Sequence, residues 1–160
     1  MLKFSKKADY ALIALQHIAS RHYETITRSR IVNTREVAEE HNIPVELLAK
    51  VLQTLAKSGF IESHNGPKGG YLLAKEASTI TIAQVLEAIE GPLGITDCYH
   101  EKDASSCLQH EHCTIRTPLL KVQDSIYQLL NSMTVEDLMG GGTPLITVQS
   151  LIPAAEGVER

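Results

Sequence analysis

Apolar side chains recur every three or four positions over the opening segment: Phe4, Ala8, Ala11, Leu12, Leu15, Ile18 and Ala19. That stripe predicts an amphipathic helix over about residues 5–21. Residues 22–33 lose the period and read as a connecting loop of more than usual length. Asn33 or Thr34 can then cap a short helix over residues 34–41 that turns Val37 and Ala38 inward. His41-Asn42-Ile43-Pro44 interrupts the pattern. Asparagine tolerates the left-handed backbone that ends a helix, and proline suits the first position of the next, where its missing N–H has no partner to lose. The helix that follows turns Val45, Leu48, Val51, Leu52 and Leu55 inward, keeps Glu46, Ala49, Lys50, Gln53 and Lys57 outside, and stops near Gly59. Two helices joined so tightly form a helix-turn-helix.

The period then changes. Phe60-Ile61-Glu62-Ser63 and Tyr71-Leu72-Leu73 are strand-like, and His64-Asn65-Gly66-Pro67-Lys68-Gly69-Gly70 between them is a glycine-rich turn, so a hairpin, or wing, is expected. Thr79 or Thr81 can cap another helix carrying Ile82, Val85, Leu86 and Ile89 on one side, ended by Gly91-Pro92. Beyond Cys113, the residues Ile115, Leu119, Val122, Ile126, Leu129 and Met133 alternate spacings of four and three, as in a coiled-coil seam. Such a helix packs on its own copy in a dimer or against its own domain, and the seam favours the dimer. Pro118 must fall in its first turn. Thr134-Val135-Glu136-Asp137-Leu138 reads as a last short capped helix, and the Gly140-Gly141-Gly142 tail has no sustained period.

The fold class expected is mainly α with a small β-hairpin wing: a winged helix-turn-helix plus a long dimerisation helix. Its organisation is a winged helix-turn-helix at 1–75, a connecting helix at 76–92, a cysteine loop at 93–113, the dimerisation helix and short capped helix at 114–138, and a flexible tail at 139–160. No stretch approaches the length of a membrane span, and the charged first segment is no signal-peptide core, so a cytoplasmic protein is expected.

A formal net charge of −4 looks unsuited to DNA until the chain is divided. Residues 1–75 carry a net +4 and residues 76–160 a net −8. A basic half that meets phosphates and an acidic half with another task fit this asymmetry. A helix-turn-helix places its second helix in the major groove and a wing beside it. Lys50 and Gln53 can reach base edges, whereas Lys57, Lys68 and the lysines of the first helix suit phosphates. Small helical domains that bind protein partners have the same outline, and a basic face on the wing and second helix is what separates the two. No catalytic constellation is present, and no enzyme is expected.

The chemistry concentrates at Cys98, Cys107 and Cys113, spaced by eight and five intervening residues among Asp97, His100, Asp103, His110, Glu111 and His112. An odd number of cysteines so close together argues for a metal or redox site over a disulfide framework. Thiolates favour zinc, copper(I) or iron–sulfur clusters. Structural zinc sites show ligand pairs two to four residues apart, which the cysteines lack, although His110, His112 and Cys113 could share a zinc ion. Three thiolates can hold most of an iron–sulfur cluster and leave one ligand to come from elsewhere. Iron–sulfur, zinc and a redox-active thiol set all stay open on this chemistry.

The opening Phe4-Ser5-Lys6-Lys7-Ala8-Asp9-Tyr10-Ala11-Leu12, the Gly66-Pro67-Lys68-Gly69-Gly70-Tyr71-Leu72-Leu73 wing, the three cysteines and the long helix after them resemble the Rrf-type family of bacterial iron–sulfur winged-helix repressors (IscR- and NsrR-like). The resemblance runs from Met1 to about Leu138. It implies a homodimer through residues 114–133 that binds a double-stranded DNA operator. It also implies a two-iron or four-iron cluster on Cys98, Cys107 and Cys113 whose gain or loss changes DNA affinity. The signal would be iron–sulfur status, nitric oxide or redox stress. The cluster-biogenesis branch has an arginine in the wing where this chain has Asn65, which joins Lys50, Gln53, Lys57 and Lys68 as a candidate DNA contact. That branch takes its fourth ligand from a histidine where this chain has Arg116. The nitric-oxide-sensing branch shares the Asp9-Tyr10 pair, and in some members that aspartate is the ligand, which makes Asp9 the candidate here, with His100, His110 and His112 as alternatives. A zinc-stabilised or electron-carrying interaction protein without DNA binding is the other class of function.

Overall fold

The computed structural model describes residues 3–23, 31–67, 69–95, 107, 109 and 112–140. Among these, the chain forms α1 (Lys6–Tyr23), α2 (Thr34–Glu40), α3 (Val45–Lys57), β1 (Ile61–His64), β2 (Gly70–Leu73), α4 (Ile82–Glu90) and α5 (Arg116–Ser132), with one 3-10 turn at Ala77–Thr79.

The helix α1 is the central pillar. Its face of Ala8, Ala11, Ala14, Leu15, Ile18 and Ala19 is buried, and the alanines let α3, α4 and β2 pack closely around it. His17 shares this buried surface at 5% exposure. Burial is the main cause holding its imidazole below the ordinary pKa, with opposing contributions from the Glu40 carboxylate and supporting ones from His41 and Arg21.

Asn33 caps α2 as its sequence suggests: the side chain accepts a 2.9 Å hydrogen bond from the Glu36 N–H. Asn42 takes the left-handed backbone at φ 51°, which returns the Ile43 N–H to the Ala38 carbonyl at 2.9 Å. Two details of the turn differ from expectation. Pro44 is the N-cap of α3, one residue outside the helix, and its carbonyl accepts from Leu47 and Leu48. Val45, expected inside, is 46% exposed, and Leu47 is 44% exposed. The first turn of α3 stands clear of the core, which begins at Leu48 and continues through Val51, Leu52 and Leu55.

The hairpin pairs Ile61 with Leu73 and His64 with Gly70 in antiparallel register. A third extended position lies outside the hairpin expected from sequence. Val32, assigned to the loop, exchanges two hydrogen bonds with Tyr71, at 2.8 and 3.0 Å, on the free edge of β2. Gly59, at φ 73°, makes the turn from α3 into the wing that a side chain would strain.

A full capping box between Thr81 and Gln84 starts α4, and Gly91 at φ 86° ends it. Its buried Ile82, Ala83, Val85 and Leu86 face α1 and α3 on one side and α5 on the other. Ala8, Ile82 and Leu86 make a second apolar cluster with Phe4, Leu93, Leu130 and Met133, and this ties α5 to the winged domain. Fully burying each large aliphatic side chain in these clusters is worth roughly 1.5–3 kcal/mol.

Pro118 lies in the first turn of α5, as required. The short capped helix expected at 134–138 is a run of turns instead. Thr134 and Asp137 do exchange capping hydrogen bonds. The bonds that follow, however, run from Leu138 to Val135 and from Met139 to Glu136, three residues apart, with a single longer bond of 3.4 Å from Gly140 back to Glu136. Val135 meanwhile donates to Ile80 at 2.9 Å, beside a bridge between Thr81 and Thr134, so the segment is pinned against the entrance to α4. Among the described residues no helix is long and apolar enough to cross a membrane.

Candidate nucleic-acid interface and cysteine segment

Because its first turn projects from the core, α3 offers a solvated face. Lys50, Gln53 and Lys57 are all exposed on it, at spacings of three and four that keep them on neighbouring helical turns. The structure adds a convergence across elements: Lys6 and Lys7 of α1 and Lys50 of α3 border one hollow of about 690 Å³, with Tyr10 and Leu47. Three lysines from two helices therefore border this hollow against one carboxylate, that of Glu90, and the positive excess favours negative phosphates there. The exposed Val45 and Leu47 supply apolar surface beside them, of the kind that contacts thymine methyls. Sequence periodicity missed this pair because it assigned Val45 to the core. At the wing tip Asn65, Gly66 and Pro67 are exposed, while Lys68 lies outside the described residues.

Of the cysteine segment, Cys98 and the alternatives His100 and His110 lie outside the described residues. Cys107 and Cys113 are free thiols of intermediate exposure, and Cys113 stands three residues before the start of α5. His112 is exposed, and its N–H donates to the Gln109 carbonyl at 3.0 Å. Asp9 is exposed in the first turn of α1, and the described parts of the single chain do not gather it with Cys107 and Cys113 into a three-ligand group. Free, half-exposed thiols fit the soft donor set of an iron–sulfur cluster, which inert buried cysteines would not.

One functional anchor had no signal in the sequence. Gln123 is the buried residue of α5. Its Nε2 donates to the Leu93 carbonyl and its Oε1 accepts from the Ile95 N–H, each at 2.8 Å. The segment that carries the cysteines is thus fastened to α5 at its beginning and runs into α5 at its end.

A helix-turn-helix followed by a hairpin, with a cationic exposed face on the second helix, defines a winged-helix DNA-binding regulator. The model of the Rrf2 family, described as an iron-dependent transcriptional regulator, matches residues 4–141, and the chain belongs to that family. It is 32% identical over 136 residues to a protein of Aquifex aeolicus assigned as a helix-turn-helix transcriptional regulator, covering 85% of this chain and 90% of that one. It is 28% identical over 138 residues to the regulator NsrR of Shouchella clausii, covering 86% and 89%. The structure of CymR, the global cysteine regulator of Bacillus subtilis, shares the fold with a TM-score of 0.69 at 24% identity, over 89% of this chain and 100% of that one. These relatives are transcriptional regulators, not enzymes.

Proposed function

We propose that this DNA-binding regulator is a homodimeric, cytoplasmic repressor whose operator affinity is set by an iron–sulfur cluster on Cys98, Cys107 and Cys113, with Asp9 as the fourth ligand. The observation that carries the reading is the pair of free, half-exposed thiols at Cys107 and Cys113, in a segment fastened to α5 through Gln123. Bound there, a cluster would supply iron that reacts with oxidants and nitric oxide. The protein's part is mechanical. The thiolates hold the segment in one shape, Gln123 passes that shape to α5, and the apolar cluster of Ala8, Ile82 and Leu86 joins α5 to α1. Change at the cysteines thereby reaches the helix against which α3 packs.

On the DNA side, Lys50 and Gln53 read base edges, while Lys57, Asn65, Lys68 and the lysines of α1 hold the backbone. The exposed Ile115, the N-cap of α5, and Val122 within it suit a dimer seam through residues 114–133, and two copies suit a two-fold symmetric operator. The test is anaerobic purification with iron and acid-labile sulfide analysis, followed by operator binding before and after cluster removal. Coloured protein containing both, lost when the three cysteines become alanine, and an operator affinity that changes with the cluster are expected. Protein without iron or sulfide but with stoichiometric zinc that is lost when the three cysteines become alanine would overturn the cluster and favour a zinc-stabilised site.

A further inference from the structure

We propose that His17, Glu40 and His41 form a second metal site, for a divalent cation of the zinc type, that clasps the helix-turn-helix to α1 independently of the cysteines. His17 comes from the middle of α1, Glu40 is the last residue of α2, and His41 caps α2 in the turn that leads to α3. His17 Nδ1 lies 3.0 Å from His41 Nε2 and 3.7 Å from Glu40 Oε1, and one ligand atom from each residue falls within 4.8 Å of the others. A tetrahedral ion with bonds of about 2.0–2.1 Å sets its donors about 3.3 Å apart; the two distances from His17 Nδ1 already lie a few tenths of an ångström from that spacing, and the exposed Glu40 side chain can swing in to complete the set.

The alternative is a plain hydrogen bond between two neutral imidazoles, and it leaves a buried atom unsatisfied. The His17 side chain is 3% exposed, and its Nε2 has no hydrogen-bond partner. The Glu36 carboxylate oxygen Oε1 is 3.7 Å away, too far for a hydrogen bond. If His17 Nδ1 donates to His41, the Nε2 lone pair faces that carboxylate. If His41 donates instead, an N–H points at it across the gap.

A cation on Nδ1 removes the conflict. It takes the lone pairs of His17 Nδ1 and His41 Nε2 and fixes the proton of His17 on Nε2, and closing the 3.7 Å gap to Glu36 would then give that carboxylate the outer role common behind a metal-bound histidine. Arg21 does not block the site, because its guanidinium holds the other oxygen of Glu40, Oε2, at 3.1 Å, and reaches Glu36 only at 3.9 Å. Among the described residues, Glu36, Glu39 and Glu40 outnumber Arg21 and Arg35 on the adjoining surface. The imidazole and carboxylate set selects a borderline ion and leaves a fourth position for water. Occupancy would tie the turn that aims α3 to the α1 pillar, and so raise both thermal stability and operator affinity. The operator effect rests on the DNA-binding reading, whereas cation binding does not.

The experiment titrates Co²⁺, then competing Zn²⁺, into the full-length chain with Cys98, Cys107 and Cys113 changed to alanine. A parallel titration uses the reduced wild-type chain, in which thiolate-to-cobalt charge transfer separately marks any ion on the cysteines. One Co²⁺ per chain with tetrahedral visible bands and no thiolate charge transfer is expected in the alanine variant, with melting raised by Zn²⁺. His41→Gln and Glu40→Gln alter partly exposed side chains and should keep the metal-free fold, while weakening cobalt binding at least about tenfold each. Absence of those bands from the alanine variant, or bands in it that survive both substitutions, would overturn the site. Loss of the iron–sulfur reading would leave this result untouched, since the cysteines are absent from the first titration.

Discussion

Gln123 grips Leu93 across thirty residues of sequence: its side-chain amide donates to the Leu93 carbonyl while its oxygen accepts from Ile95 two residues on. With 2% of Gln123 exposed, water cannot readily replace either bond. Gln123→Leu keeps the volume and leaves one backbone N–H and one carbonyl without partners. A loss of about 2 kcal/mol in urea unfolding is expected, the cost of stranding buried polar groups. The same substitution should speed thiol labelling at the cysteines, because it frees the start of their segment. Unchanged stability together with unchanged labelling would mean that the amide clamp is not made in solution.

The wing depends on a glycine in the same way. A Cβ at Gly70 would fall on the Val32 carbonyl and the Ile31 side chain, where the extended residue at Val32 pairs with Tyr71. Gly70→Ala should cost about 1–3 kcal/mol and lower amide protection at Tyr71 and Val32. Gly140→Ala is the control, since a Cβ there meets nothing within 4 Å. Equal stability of the two variants would deny the edge pairing.

These two contacts show where sequence reading stopped. Helices announced themselves because Leu48, Val51, Leu52 and Leu55, or Ile82, Val85 and Leu86, repeat at a helical period, and because α2 and α4 carry their own caps at Asn33 and Thr81. Val32 is a single paired residue, too short to alternate, and Gln123 is a polar residue buried in a helix whose apolar positions define another face. Val45 fits the inward period yet is exposed, since periodicity cannot tell where a core ends. For the functional site, the exposed Lys50, Gln53 and Lys57 were legible from the helical wheel. That Lys50 shares a hollow with Lys6 and Lys7 followed only from the packing of α3 beside α1.

Asp137 contributes to the loss of stability in acid. Hydrogen bonds from the Thr134 hydroxyl and N–H hold its carboxyl below the ordinary carboxylate value. A depressed folded value means stabilisation that is complete above the unfolded value and lost as pH falls through the folded one. Asp137→Asn removes the charge and keeps the shape. Its deficit against wild type in urea unfolding should be constant from neutrality down to about pH 5 and shrink below about pH 4. A deficit that grows in acid would have the wrong sign for this interaction.

Ile115 and Val122, seven residues apart on one face, are 60% and 47% exposed. An apolar pair at that spacing at the start of a long helix is what a dimer seam leaves bare in a single chain. Val122→Glu should preserve the helical signal while raising the dimer dissociation constant by about thirtyfold or more, the effect of losing a central contact worth about 2 kcal/mol. Operator binding should weaken with it. Analytical ultracentrifugation decides the matter: an undisturbed dimer in the variant would place the interface elsewhere.

Asp9 carries the sharpest test of the cluster. Its carboxylate is exposed in the first turn of α1, where the helix N-terminus already favours a negative charge, and an ordinary solvated acid would sit there as well. The sequence, however, has Arg116 where one branch of the family supplies a histidine, and it keeps the Asp9-Tyr10 pair of the other. An oxygen ligand is harder than thiolate and binds iron less firmly, which leaves one corner of a cluster the most readily displaced. Asp9→Ala should then give a cluster that bleaches faster under air, reacts differently with nitric oxide, and controls operator affinity less tightly. Alanine at His100, His110 or His112 should do none of these. Asp9→Asn separates the two roles of the residue, because it removes the charge at the helix terminus and keeps a weak oxygen donor. If Asp9→Ala and Asp9→Asn both keep a wild-type cluster spectrum while one histidine variant loses the cluster, that histidine is the ligand and Asp9 serves only the helix.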